Sequence, residues 1–293
     1  MNKKGLTVSM IFEAESANYG EGVGNVTALK KFSRGSGDMY TYISRQALRY
    51  NMVEQMGIND TPLDLDKKVI QFHPDSSIIN SAEIDLFGYM KTKKPMRSRA
   101  AVARLSNAVA LESFQTDLDF LTNKGLLDRY NQNSETPLAG GNIAQSEIHK
   151  SFYAYTITID LDKVGIDVND NLEIDNLEKT ERVNALLTTI KFLYRDIKGR
   201  RENLSPIFGI GGLYDIKNPF FENRLKLNKN YLNIATIESV LGYDQMVKSQ
   251  TKVGLTRGIL QNDQEIEQKL NAVGIGEFFD MLTKEVSAYY SEE

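Results

Sequence analysis

The residues of this chain best equipped to act on a ligand are cations. Lys30, Lys31, Arg34, Arg45 and Arg49 crowd into one stretch, and the run KTKKPMRSRAAVAR from Lys91 to Arg104 carries six basic residues and no acidic one. Clustered Lys and Arg neutralise phosphates and release counterions, while interleaved tyrosines and phenylalanines offer faces on which bases stack. Ser44 and Gln46 add side chains that hydrogen-bond phosphate oxygens. Against this stands the plainer reading that segregated charge marks solvated faces and that aromatics such as Tyr153 and Tyr155 fill a core.

Other chemistry has less to stand on. Asp117 with Asp119, Asp160 with Asp162, and Glu173 with Asp175 are carboxylate pairs of the type that hold hard cations or perform acid–base work. Such pairs are common on solvated surfaces, and Asp160 and Asp162 are expected at the exposed end of a strand. The loop YGEGVGN offers Gly20, Gly22 and Gly24 but sets Asn25 where a dinucleotide fingerprint needs its last glycine, and no phosphate-binding G-x-x-x-x-G-K-[ST] loop occurs. With no cysteine and two histidines, His73 and His149, disulfides and the usual His/Cys zinc sites are excluded. Neither histidine lies in a nucleophile elbow or a zinc-protease helix; His73 reads as a turn residue and His149 as a loop residue before a strand. No catalytic residue, metal or cofactor is expected.

The elements that must position the cations follow from length and periodicity. At 293 residues and 41% hydrophobic, the chain can bury a large core, expected as a single domain with insertions. Its net charge of −4 argues against a surface that is basic throughout. No run of about 18 apolar residues occurs, so no membrane span is expected; the first residues lack a signal-peptide pattern, and a cytoplasmic location fits. Residues 6–12 alternate as a half-buried strand. Ile43, Ala47, Tyr50 and Met56 recur at helical spacing up to Gly57, a C-terminal cap, which turns Ser44, Arg45 and Arg49 outward. Residues 59–95 read as an insertion, 98–113 as a strand region, and 114–150 as a long polar loop.

Regular structure resumes with SFYAYTITIDL, a strand showing Tyr153, Tyr155, Ile157 and Ile159 on one face. A helix through Val183, Leu186, Leu187, Ile190 and Leu193 ends near Gly199. Residues 206–214 form a strand loosened by glycines, 234–241 another strand, and 263–273 and 277–289 helices. This order is compatible with a β-α-β-β-α-β sheet carrying helices on one face and leaving the other free for ligand.

The segments GLTVSMIFEAESANYGEG, YTYISRQALRY, RSRAAVARLSNAVALESFQTDLDF and SFYAYTITIDL resemble the DevR-type family of CRISPR-associated proteins, backbone subunits of type I-B Cascade. The resemblance implies an α+β fold: an RNA-recognition-motif (ferredoxin-like) palm at about 1–58, 96–113 and 151–245, a helical finger insertion at about 59–95, a thumb at about 114–150, and C-terminal helices at about 262–290. It implies a non-catalytic subunit that lines up in several copies along crRNA, presents it to target DNA, and contacts other Cascade subunits in antiviral defence. The family's phosphate-contacting stretch matches Ser44, Arg45, Gln46 and Arg49, with Asn18 close by; Lys30, Lys31, Arg34, Arg97 and Arg99 join the RNA-binding set by charge and position. The competing reading is a metal-dependent ribonuclease on the same fold, using Asp38, the nearest candidate by position, or one of the carboxylate pairs.

Overall fold

The computed structural model describes residues 3–15, 19–23, 26–93, 96–140 and 143–291, and the fold is α+β. The chain begins with β1 (Gly5–Ala14), a pair β2 (Tyr19–Val23) and β3 (Val26–Leu29), and a hairpin β4 (Lys31–Ser33) and β5 (Met39–Ile43) leading into α1 (Arg45–Met56). An insertion follows with β6 (Leu63–Asp66), β7 (Val69–Phe72), α2 (Ala82–Phe87), β8 (Tyr89–Lys91) and β9 (Arg97–Arg99). Short strands β10 (Ala103–Leu105) and β11 (Ala108–Ala110) precede a protrusion built from β12 (Asp117–Thr122), α3 (Lys124–Gln132) and β13 (Ile143–Ile148). Next come β14 (Ser151–Asp160), the small pair β15 (Ile166–Asp167) and β16 (Leu172–Glu173), and α4 (Asn176–Lys191). The last third holds the hairpin β17 (Tyr194–Ile197) and β18 (Arg200–Asn203), then β19 (Phe208–Tyr214), β20 (Leu227–Asn228), β21 (Tyr231–Leu232), α5 (Ile234–Leu241), α6 (Gln245–Gln250), β22 (Lys252–Leu255), α7 (Asp263–Leu270), β23 (Val273–Gly274) and α8 (Ile275–Ser291).

The main sheet runs β23-β22-β19-β1-β14-β11-β5-β4, with β10 also paired to β14. Taken along the chain, β1, α1, β11, β14, α4 and β19 follow a β-α-β-β-α-β order. One face is packed by α1, α4 and α8: Leu6, Val8, Met10 and Phe12 of β1 and the odd residues of β14 meet Leu48 and Met52, Leu186 and Ile190, and Phe278 and Leu282. Tyr153 and Tyr155 belong to this core, as the plainer reading of those aromatics held. On the opposite face, Ile11, Phe208, Ile210, Val253 and Leu255 are covered by Phe221, Leu225, Ile237 and Ile266. The second face is thus free of apolar cover only in part: over the middle of β1 and β14 it carries Thr7, Ser9 and Thr156, which are buried, and Thr158, which is half-buried.

Several expectations change. β1 is buried at every position from Gly5 to Phe12 because it is sandwiched between β14 and β19 with cover on both faces; alternation underestimates a central strand. Helix α1 ends at Gly57 as expected, in the left-handed conformation (φ 66°), but it buries Leu48, Met52 and Val53 and leaves Tyr50 exposed, and Ile43 belongs to β5. The insertion is not helical: two hairpins, β6–β7 and β8–β9, flank one six-residue helix. Residues 98–113 divide among three short strands, and 114–150 form a β-hairpin around a helix rather than a loop. Residues 234–241 form helix α5. Gly199 sits with positive φ in the β17–β18 turn, and α4 stops earlier, at Phe192. The glycines of β19 tighten the sheet instead of loosening it. A Cβ on Gly211 would lie 2.0 Å from the Thr7 carbonyl oxygen, so only glycine lets β19 approach β1.

Candidate nucleic-acid interface

The part of the sheet face without apolar cover forms the floor of a groove. Opposed hydroxyl residues make that floor: Ser9 faces Thr156 and Thr7 faces Thr158 in the β1–β14 register. The Ser9 and Thr156 hydroxyls lie 2.6 Å apart, and the Thr156 amide donates to the Ser106 hydroxyl at 2.9 Å. One side wall is the β4–β5 hairpin and the other is the segment 217–227. Two adjoining cavities of about 520 and 380 Å³ fill the groove, sharing Ser106, Thr156 and Glu222. Their linings bring together five cations, Arg34, Arg45, Arg104, Lys217 and Lys226, against two carboxylates, Asp160 and Glu222. A chain with net charge −4 therefore concentrates positive charge in one channel, where field lines focus and an anion is drawn in.

Aromatic faces stand at the hairpin edge. Phe32 and Tyr40 are cross-strand partners with ring centroids 6.4 Å apart, Phe32 also tilts against Tyr42 at 5.9 Å, and the Arg34 guanidinium lies 4.2 Å from the Tyr40 centroid. The hairpin holds this arrangement through a tight turn, with the Arg34 amide donating to the Asp38 carbonyl at 3.0 Å and Gly37 at positive φ. Stacking of a base on such rings contributes about 1–3 kcal/mol and tolerates any sequence.

At the other end, Ser44 caps α1 by accepting from the Ala47 amide at 3.3 Å, and the Arg45 amide donates to the Asn107 Oδ1 at 2.9 Å. These bonds fix the helix start beside the groove, with Arg45 and Gln46 exposed. Arg104 donates to Asp160 at 3.0 Å; Lys217 is paired with Asp162 and lies 3.7 Å from Asp160. Asp160 is buried, not at an exposed strand end. Burial alone would raise its carboxyl, but the Arg104 hydrogen bond and the charges of Arg104, Lys217 and Lys163 outweigh that and hold it below its ordinary value.

The structure redistributes the expected residues. Arg34 and Arg45 line the groove, Gln46 lies at its α1 end, and Lys30 sits between β3 and β4 with its carbonyl accepting from the Tyr42 amide. Lys31 is taken up by the protrusion, bonded to Glu147 at 2.6 Å with its ammonium 4.6 Å from the Phe114 ring. Arg49 turns to the insertion, pairing with Glu83 at 3.3 Å and lying over Phe87. Arg97 pairs with Asp170. Arg99 is withdrawn from the interface: its side chain is 7% exposed and bonds Asp85 and the carbonyls of Ile166 and Lys163. Asn18 lies outside the described residues. Lys217, Lys226, Phe32 and Tyr40 escaped the sequence reading, and Arg104 entered it only as the end of the basic run, although F-S-R and Y-T-Y flanking the turn carry the alternation of a hairpin with one aromatic face.

The remaining candidates have structural partners. His149 is a buried residue, its Nδ1 2.8 Å from the Thr41 hydroxyl and its ring edge-on to Phe114; burial pushes its imidazole pKa down. His73 is in a turn, 3.7 Å from Asp75. Glu173 binds Lys179 at 2.6 Å, and Asp175 caps α4. Asp38 is exposed and accepts from the Ser36 hydroxyl at 2.8 Å. Among the described residues no group of three or more His, Cys, Asp or Glu is placed to hold a metal ion, and no helix is long and apolar enough to cross a membrane.

Comparison with known proteins gives this geometry a family. The chain superposes on a chain of a CRISPR RNA-guided surveillance complex in a pre-nicking state with a TM-score of 0.64 and 11% identity, covering 97% of this chain and 99% of that one. A chain from another CRISPR RNA-guided surveillance complex gives 0.59 and 14%, again over 97% and 99%. At these identities the likeness is one of fold. No curated protein matches the sequence. The family model described as CRISPR-associated negative auto-regulator DevR/Csa2 matches residues 6–234, which is most of the chain, and the protein belongs to that family.

Proposed function

We propose that this protein is a non-catalytic backbone subunit of a type I-B CRISPR effector, several copies of which bind along crRNA and present it for pairing with target DNA in antiviral defence. The observation that carries the reading is the groove: cations concentrated over a hydroxyl-lined sheet face, aromatic rings at one edge and a capped helix start at the other, in a chain of a CRISPR-associated family. Such a surface grips backbone and stacks bases while leaving sequence to base pairing, as guide-RNA effectors require. In this reading the main sheet with α1 and α4 is the palm, residues 59–95 the finger and 114–150 the thumb, and other complex subunits and neighbouring copies cover the remaining surface.

The test is binding of a labelled single-stranded RNA at increasing salt. Arg45→Ala should reduce the slope of log K against log salt by about 0.7, one phosphate contact; an unchanged slope removes Arg45 from the site. The ribonuclease reading is tested in the same tubes with Mg²⁺. Intact RNA is the expected result, and cleavage abolished by Asp38→Ala would overturn the non-catalytic assignment.

A further inference from the structure

We infer that the smaller cavity, between the start of α1 and the segment after β19, seats one phosphodiester of the bound RNA through Arg104 and Lys217, with Thr7 and Thr158 as hydroxyl donors. The inference rests on the RNA-binding reading and adds to it a path: the strand leaves the tip of α1 and crosses the β1–β14 face.

Four features of the cavity point to a phosphate. Arg104 spends one nitrogen, Nη2, on Asp160, and its side chain is 47% exposed, so the rest of its planar fork faces the cavity. That fork matches two phosphate oxygens at once. Lys217 lies across β1 because residue 5 is glycine: a Cβ there would come within 3.0 Å of the lysine Cγ. Asp160, itself on the lining, and Asp162 pair with the two cations, so they are oriented before any ligand arrives. Thr7 and Thr158, opposite one another in the sheet, line the same cavity, and neither hydroxyl has a hydrogen-bond partner among the described residues. Exposed Arg45 closes the α1 side. Asp160 and Glu222 are the opposing charges on the lining against Arg45, Arg104 and Lys217, which leaves the lining with one more cation than carboxylates, and Glu222 also borders the larger cavity.

Because both cations serve one phosphate, their effects on salt dependence should not sum. Anisotropy of a fluorescein-labelled single-stranded RNA is measured with full-length protein across a KCl series. The double variant Arg104→Gln, Lys217→Gln should lower the slope by about 0.7, the value for one phosphate on a single strand, not twice that. Arg201→Gln, whose arginine pairs with Asp196 on β18, should keep the wild-type slope. Thr158→Val removes a hydroxyl and no charge, so it should weaken binding roughly tenfold at constant slope, the loss of one hydrogen bond to a charged group. An unchanged slope in the folded double variant overturns the inference, as does wild-type affinity in Thr158→Val, which stands as the test should the double variant fail to fold. Failure of the wild-type protein to bind RNA at low salt would instead overturn the underlying RNA-binding reading.

Discussion

Replacing Asp85 by alanine should destabilise the protein by about 3 kcal/mol, the lower end of what breaking a buried charge pair costs. Asp85 is fully buried on α2 and accepts from Arg99 Nη2 at 2.8 Å, Arg182 Nη1 at 3.0 Å and the Gly165 amide at 2.9 Å. One carboxylate thereby joins the insertion, the return strand β9, the turn after β14 and helix α4. Its removal strands two guanidinium groups whose side chains are each 7% exposed. The lower end of the range applies because both keep other acceptors: Arg99 retains the Ile166 and Lys163 carbonyls, and Arg182 retains Glu178. Asp85→Asn preserves the shape and one acceptor oxygen and should cost less, about 1–2 kcal/mol. Urea denaturation followed by far-ultraviolet circular dichroism reads both variants. A loss below about 1 kcal/mol for Asp85→Ala, near the range of ordinary surface substitutions, would refute the fastening role. The same argument makes Arg99 a structural residue, so Arg99→Ala should lower the urea midpoint and leave the RNA salt slope of the folded protein unchanged.

Gly211→Ala pushes a methyl into the Thr7 carbonyl and should cost about 3 kcal/mol, the upper end of overpacking penalties, whereas Gly35→Ala, with nothing within 4 Å of its added Cβ, should stay within about 0.5 kcal/mol in the same denaturation assay. His149 makes stability pH-dependent: burial lowers its folded pKa beneath the ordinary imidazole value of 6.5, so the unfolded chain takes up the proton first. Its contribution is full above pH 6.5 and declines as the pH falls from there toward the folded pKa. The drop in urea midpoint between pH 7.5 and 5.5 should accordingly shrink in His149→Gln, and an equal drop in both proteins would contradict the assignment.

How much of this was legible beforehand depends on whether a signal was local. The faces of β14 were readable because Tyr153, Tyr155, Ile157 and Ile159 alternate with small and polar residues, and the end of α1 because Gly57 offered the left-handed conformation that an L side chain resists. Helix α5 was misread because Ile234, Ile237 and Val240 bury at a spacing of three within an apolar run too short to separate helix from strand. The basic run from Lys91 to Arg104 was visible as charge, but which cation met solvent was not. Arg97 and Arg99 find Asp170 and Asp85 through tertiary contacts, whereas Arg104, further along the same run, reaches the groove. Lys217 and Lys226 carried no local mark at all. They line the groove only because the segment after β19 folds back across the sheet.

The position of β1 in the sheet has a consequence for how the protein is made. Its two neighbours, β14 and β19, come from far along the chain; the Ser9 and Thr156 hydroxyls that meet across the sheet are 147 positions apart. β1 emerges from the ribosome as an apolar segment with both edges unpaired, and its pairing waits until β14 and then β19 have been synthesised. Contacts this distant slow folding because loop-closure entropy must be met before they form, and an unpaired apolar strand is the kind of surface that aggregates meanwhile. The α1 unit, the insertion and the protrusion are all translated during that wait. Yield in a heterologous host should therefore respond to translation rate and chaperone supply more than to changes in the exposed protrusion.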